Sequence, residues 1–480
     1  MQKQTSWEII YNNFSGMERH AVEFLNKEMG KYVLRQLGEY SIHVLPINKE
    51  TDGYKIKENA IVVSLYNNSK IIQKYIKQDE FNENGFIVKV FDNPDTPNTS
   101  IVLITASDES ALYRGAVYFI DDYVPTYAPY LSGKLNYRVF DGRLYPETYK
   151  EEIKSKTRSI FAWGHAINDY RKYIENMARL GLNQLILWND FAPINAKEIV
   201  EYAHSYNIEF IWGFAWGWDE KRCKNLMRLD DNILAEMKKN IYETYYSTWQ
   251  GLGDGIYFQS FTETEMDTLN GKCIAEVVTD FVNEVAGELL KKEPNLHIQF
   301  GLHAISVHKY IDFIAKVDKR IEILWEDCGS FPYSYYPHSV DKFDETVEFT
   351  KKILLLRGKD AKTGLVFKGH CTLDWTKFIH QKGPFILGEN CDFVTEHDKY
   401  LRSSGWASLT AGWVRYGEYA RKIAELALEL DPNVNLCMAG AYDGGIWLPM
   451  ALCADIIKNP NENFDDILNR VSVREVVVNK

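Results

Sequence analysis

Glu263 stands five residues beyond a short run of β-formers, Ile256, Tyr257 and Phe258, with Gln259, Ser260, Phe261 and Thr262 between. A carboxylate delivered at the C-terminal end of a buried strand is what a parallel α/β barrel places in its catalytic mouth. Seven other apolar runs end in comparable residues. In order these are Trp163 with His165; Trp188 with Asn189; Trp216 and Trp218; His303; Trp325 with Glu326 and Asp327; His370 with Asp374 and Trp375; and Tyr442 with Asp443 and Trp447. Core packing alone would favour Val, Ile and Leu at such places. Trp and Tyr offer flat apolar faces with a polar tip, and carboxylates or amides between them suit the hydroxyls of a sugar.

Cleavage of a glycoside needs two carboxyl functions on opposite sides of the bond, one of them protonated. Burial among aromatics raises a carboxyl pKa in the required direction. Glu263, close in sequence to Phe258 and Phe261, is the candidate acid. Glu326, Asp327 and Asp374 are the candidates for the second function. Each of these three reads equally well as a structural carboxylate. Glu265 reads as solvated. His303 and His308 are five apart with no third ligand nearby, so no metal site is expected. Cys371, beside His370, reads as a small pocket-lining residue, and no GxSxG elbow is present.

The elements that would position these residues are legible. Strand candidates fall at 158–163, 184–188, 209–213, 255–258, 297–301, 321–325, 364–368 and 436–440. Helical stretches separate them at about 169–180, 196–206, 232–247, 271–292, 308–316, 340–356 and 398–429, with a last one after Pro449. Eight strands alternating with helices over residues 150–480 predict a closed (β/α)8 TIM barrel. An open doubly wound sheet would carry a glycine-rich phosphate loop after its first strand, and FAWGHAIND is not one. Residues 1–145 predict a small α/β domain. A helix is expected through 1–37, strands at 41–45 and 60–65, a helix at 69–76, a hairpin of 85–90 with 100–105, and a helix over about 110–123.

Composition bounds the partners. The 480 residues suit a barrel plus one appendage, and 45% apolar content allows a sizeable core. Aromatics are high at 14%, with 12 Trp and 30 Tyr. A net charge of −12 argues against a nucleic-acid partner, which needs clustered Lys and Arg. Seven scattered Cys without CxxC pairs predict neither a disulfide framework nor a structural zinc. The N-terminal stretch MQKQTSWEIIYNNF lacks a signal-peptide core, and no apolar run is long enough to span a membrane. A cytoplasmic location is therefore expected, with no membrane partner. The oligomeric state, a homo-oligomer included, is left open.

On these residues the chain resembles glycoside hydrolases that join a small α/β domain to a catalytic barrel, notably family 67 α-glucuronidases and more loosely family 20 β-hexosaminidases. Arg158-Ser-Ile-Phe-Ala-Trp163 resembles the first strand of family 67. Gly181-Leu-Asn-Gln-Leu-Ile-Leu-Trp-Asn189 resembles the approach to its second, and Asp254-Gly255 through Thr262-Glu263 its fourth. The resemblance implies Glu263 as general acid and a base from strand six or seven, which is Asp327, Glu326 or Asp374 here. It departs from family 20, whose Asp-Glu pair is replaced by Thr262-Glu263, and from family 67, whose helical C-terminal region is absent. Uronate recognition would use basic groups, with Arg158 and Lys368 as candidates. The expectation is an exo-acting hydrolase of a glycoside or oligosaccharide, taking a terminal uronic acid or hexosamine and needing no cofactor. Its rivals are a retaining, substrate-assisted hexosaminidase and a carbohydrate-binding barrel without catalysis.

Overall fold

The computed structural model describes residues 6–37, 45–82, 84–127, 144–164, 167–189, 191–219, 224–261, 264–326, 342–370, 383–389, 403–439 and 447–474. The chain divides into two compact units, one formed by residues 1–153 with 205–207 and 469–475, the other by the remainder.

The first unit holds a six-stranded sheet. Its strands are β1 (Trp7–Tyr11), β2 (Ile47–Lys49), β3 (Asn59–Leu65), β4 (Phe86–Asp92), β5 (Ser100–Ala106) and β6 (Glu147–Lys150), in the order β2-β1-β3-β5-β4-β6. β2, β1, β3, β5 and β6 run in one direction, and β4, between β5 and β6, runs antiparallel to both its neighbours. Its helices are α1 (Gly16–Leu37), α2 (Lys70–Tyr75), α3 (Glu109–Tyr118) and the short α4 (Val124–Tyr127). Central strands covered on both faces read as continuous apolar runs. In β3, Ala60 and Val62 face a cluster with Ile72 and Ile76 around α2, and the alternate residues Ile61 and Val63 are equally buried. Ser69 and Asp108 cap α2 and α3 by accepting from Ile72 N and Ala111 N. The hairpin expected at 85–90 and 100–105 is the antiparallel pair β4–β5. The expected single helix over 1–37 is corrected: Trp7–Tyr11 is a strand paired to β3, and the helix begins at Gly16. The candidate strand at 41–45 falls almost entirely outside the described residues.

The second unit is a closed barrel of eight parallel strands: β7 (Thr157–Trp163), β8 (Gln184–Trp188), β9 (Glu209–Gly213), β12 (Gly255–Phe258), β15 (His297–His303), β16 (Glu322–Glu326), β17 (Thr363–Phe367) and β18 (Asn435–Ala439). Two short antiparallel pairs lie in its loops, β10 (Trp218–Asp219) with β11 (Lys224–Asn225) and β13 (Thr268–Leu269) with β14 (Lys272–Cys273). The helices α5 (Tyr170–Arg179), α6 (Ala196–Ser205), α7 (Asp231–Thr244), α8 (Ile274–Lys292), α9 (Ala304–Val307), α10 (Ile311–Ile314) and α11 (Phe343–Leu355) alternate with the strands, followed by Ser403–Leu430, Trp447–Lys458 and Phe464–Ser472. Every barrel strand pairs with both neighbours, so the fold class expected from the sequence is the one observed. Among the described residues no helix is long and apolar enough to cross a membrane.

Period-two alternation sorts the barrel side chains into lumen and outer wall. Phe161, Ile186, Ile211, Tyr257, Leu324, Val366, Cys437 and Ala439 form the middle of the lumen, with Trp163 and Trp188 packed above them. Below lies a polar floor. His297 bridges Glu209 (2.8 Å) and Glu322 (2.6 Å), and Gln299 donates to Glu322 (2.9 Å) and Gln184 (3.0 Å). Asn435 donates to Gln184 (2.9 Å), and Ser159 donates to Asn435. On the outer wall Phe258 stacks between Trp216 (3.6 Å between ring centroids) and Phe300 (4.7 Å).

Candidate active site

Glu326 ends β16 and points into the top of the lumen, its side chain only 7% exposed. The Tyr257 hydroxyl donates to its carboxylate, and Gln259 Nε2 donates at 2.7 Å. Lys368 Nζ lies 3.3 Å away and His303 Nε2 4.0 Å. Four strands therefore converge on one carboxylate. β12 supplies Tyr257 and, just past its end, Gln259; β15 supplies His303; and Lys368 follows β17 directly. Tyr257 and Gln259 share a face because they are two apart on an extended chain.

Burial alone would raise the Glu326 pKa. The Lys368 ammonium, His303 and the donors Tyr257 and Gln259 outweigh it and hold the carboxyl down to about 2. Burial and the adjoining carboxylate push the Tyr257 hydroxyl well above its ordinary range, so it remains a donor. The Cys437 thiol below is pushed up to about 12, chiefly by burial, which leaves it without nucleophilic character at neutral pH.

Two expected aromatics line the same lumen. Trp163 crosses Phe161 edge-on at 4.9 Å, and Trp188 meets Tyr257 edge-on at 5.9 Å. Both remain partly exposed at the lumen's upper end. Asn189 follows Trp188 and is buried, with its Nδ2 lacking a partner among the described residues. A Cβ at Gly164 would collide with the Asn189 amide, so the glycine is what lets the two loops approach. The structure thus brings Glu326 together with His303 and Lys368, and adds Tyr257 and Gln259. The added pair was absent from the residues singled out in the sequence. The signal that finds it is strand parity: counting in twos from the buried Tyr257 leads to Gln259.

Four expected pocket residues lie elsewhere. Arg158 is at the start of β7, and its guanidinium donates to the carbonyls of Ser155 (2.6 Å), Gly181 (2.7 Å) and Lys156 (3.4 Å). It ties loops at the N-terminal end of the barrel and cannot recognise a ligand at the mouth. Arg357 does the same for the carbonyls of Ile321 and Asp318. Trp216 is fully buried on the outer wall, stacked on Phe258. Trp325 is buried beside the inward-facing Glu326, and adjacent strand residues point to opposite faces. His370 is fully buried against Trp413 at 4.8 Å, and burial lowers its pKa to about 4.

Glu263, Asp327, Asp374, His165, Trp375, Tyr442, Asp443 and Cys371 lie outside the described residues. Trp218 is placed in the backbone of β10, and Trp447 opens the helix Trp447–Lys458. Among the described residues no group of three or more His, Cys, Asp or Glu side chains could hold a metal ion.

No protein-family model matches the chain, and no curated protein sequence matches it. Solved structures do. The structure of CpGH84B matches at a TM-score of 0.53 and 12% identity, over 97% of this chain and 70% of that one. CpGH84D matches at a TM-score of 0.50 and 10% identity, over 96% of this chain and 67% of that one. Both names denote glycoside hydrolase family 84 proteins. At these identities the likeness is one of fold alone, a small α/β unit and a closed (β/α)8 barrel.

Proposed function

We propose that the chain is an exo-acting glycoside hydrolase that removes one terminal sugar at the C-terminal mouth of the barrel. The observation that carries this reading is the ionised Glu326, held by Lys368, Tyr257 and Gln259 in the lumen that Trp163 and Trp188 also line. Trp faces suit stacking on a pyranose, and the charged array suits its hydroxyls. The likeness in fold to family 84 glycoside hydrolases supports the same reaction class.

In this reading Glu263, at the end of the fourth strand, protonates the leaving oxygen. Glu326 is held ionised by Lys368, His303, Tyr257 and Gln259, and stands with Asp327 and Asp374 as a candidate for the base or nucleophile. Carboxyl groups about 6.5–9.5 Å apart would invert the anomeric centre, and groups about 5 Å apart would retain it.

The charge of the mouth bears on the sugar. Arg158 is at the far end of the barrel, and Lys368 is already paired with Glu326. Both basic groups that would favour a uronate are thereby committed, so a hexosamine is the better match. A hexosamine also admits the rival route in which the substrate's own acetamido group attacks. A cytoplasmic setting belongs to the same proposal.

The test is a panel of aryl α- and β-glycosides of hexosamines, neutral hexoses and uronic acids, with wild type and Glu263→Gln. Turnover that Glu263→Gln lowers by about 10³-fold on a poor leaving group is expected. Full activity in the variant would remove Glu263 from the acid role. Absence of turnover on every glycoside, together with sugar binding by calorimetry, would point instead to a non-catalytic carbohydrate-binding barrel. Strong inhibition by an acetamido thiazoline would mark the substrate-assisted route.

A further inference from the structure

A cavity of about 180 Å³ lies on the outer side of the strand wall, between the ends of β12 and β15 and the helices α8, α9 and α10. Its walls mix carbon with polar atoms, and Phe261, Phe300, Leu302, Val307 and Ala275 supply apolar surface. An apolar cavity of about 150 Å³ is enough to hold a benzene-sized molecule. One wall residue is polar and unsatisfied: Ser260 is 2% exposed, and its Oγ has no hydrogen-bond partner among the described residues. Ser260 has the parity of Phe258, so it faces away from the lumen and belongs to a space separate from the Glu326 array. At the entrance Lys309 and Asp267 lie 3.9 Å apart and offset each other, and Tyr310 reaches the same Asp267 at 3.4 Å. Glu265 is the remaining charge on the wall, which disfavours an anion.

We infer that this cavity is a binding site for a small neutral aryl alcohol, one six-membered ring whose hydroxyl hydrogen-bonds to Ser260 Oγ. The ring matches the volume and the Phe261 and Phe300 walls. The hydroxyl satisfies an atom that burial otherwise leaves unpaired. Phe261 has a left-handed backbone (φ 51°) and immediately precedes Thr262 and Glu263, so the ligand contacts the residue that leads into that loop. Its ring is seated where Gly217 (φ 101°) leaves room, since a Cβ there would lie 2.6 Å from Phe261 Cε1.

The test uses the full chain and two probes, 4-methylphenol and toluene, titrated by ligand-observed NMR. Saturable binding of 4-methylphenol is expected, with toluene about tenfold weaker, the difference of one net hydrogen bond. Ser260→Ala should bring 4-methylphenol down to the level of toluene and leave toluene unchanged. Ala275→Phe should abolish both, with Val307→Phe as a second way to fill the space should the first fail to fold. No saturable binding of either probe up to its solubility would overturn the inference. So would equal binding of both probes that Ser260→Ala leaves untouched, or binding that survives both filling substitutions. The outcome does not depend on whether the chain hydrolyses glycosides.

Discussion

The barrel lumen is polar at both ends, and the two ends are built differently. At the floor His297 lies between Glu209 and Glu322, and Gln299, Gln184, Asn435 and Ser159 extend the network from strand to strand. The Glu322 side chain there is 6% exposed and His297 17%. At the mouth Glu326 is just as buried, but its partners are partly open, Lys368 at 20% and His303 at 25%. Past the end of β8, Asn189 Nδ2 is left without a partner among the described residues. The floor pairs its polar groups with one another, Gln299 Oε1 excepted. The mouth keeps groups in reserve for something that arrives. Buried networks of the first kind hold a fold in register, whereas unsatisfied polar groups at strand ends mark the side where ligands bind.

The largest expected effect falls at the floor. Glu322→Ala leaves His297 and Gln299 without their acceptor and should cost about 3–5 kcal/mol in urea unfolding. Turnover per folded molecule should not change. A floor variant that folds normally yet loses activity would dissolve the contrast between the two ends.

The two ends should also respond to opposite limits of pH. Burial alone would lower the His297 pKa, but Glu209 and Glu322 together raise it to about 9. A raised folded-state pKa gives stability that is complete below the ordinary value of 6.5 and is lost as pH rises through about 9. Up to about 3 kcal/mol is at stake, and His297→Gln should flatten this alkaline limb. Glu326 behaves in reverse. Its contribution is complete above the ordinary value of 4.5 and is lost as pH falls towards about 2, so Glu326→Gln should flatten the acid limb alone. Chemical denaturation across pH 2–10 reads both limbs. One substitution that alters both would mean the networks are coupled through the lumen.

The smallest effect sharpens the mouth. Trp163→Ala should weaken binding of the sugar identified in the glycoside panel about tenfold, by calorimetry, with little change in stability. A loss of stability without a change in affinity would reassign Trp163 to the core alongside Trp216.

The barrel itself was legible because parallel strands covered on both sides are written as short apolar runs. The expected strand at 184–188 is the observed Gln184–Trp188, and 209–213 is Glu209–Gly213. Trp7–Tyr11 escaped because five residues with Ile9 and Ile10 adjacent satisfy helical spacing as readily as strand spacing, and only pairing to β3 decides. The candidate site was legible as a set of strand ends but not as a set of faces. Trp163 and Trp188 share the lumen with Phe161, while Trp216 and Trp325 lie one step out of phase and fill the wall. Arg158 was misplaced for another reason: it opens its strand instead of closing it. The hydrogen bonds that single out Glu326 join residues 69 and 67 positions apart in the chain, which no local pattern encodes.

Tyr257 reaches Glu326 across the lumen because residue 301 of the intervening strand is glycine, where a Cβ would collide with the tyrosine hydroxyl. The two positions are therefore sterically coupled. A relative that gains a side chain at 301 must shorten residue 257 in the same lineage, and it then loses the hydroxyl that holds the mouth carboxylate. Paired variation at 257 and 301 across homologues would trace which branches kept this mouth and which remade it.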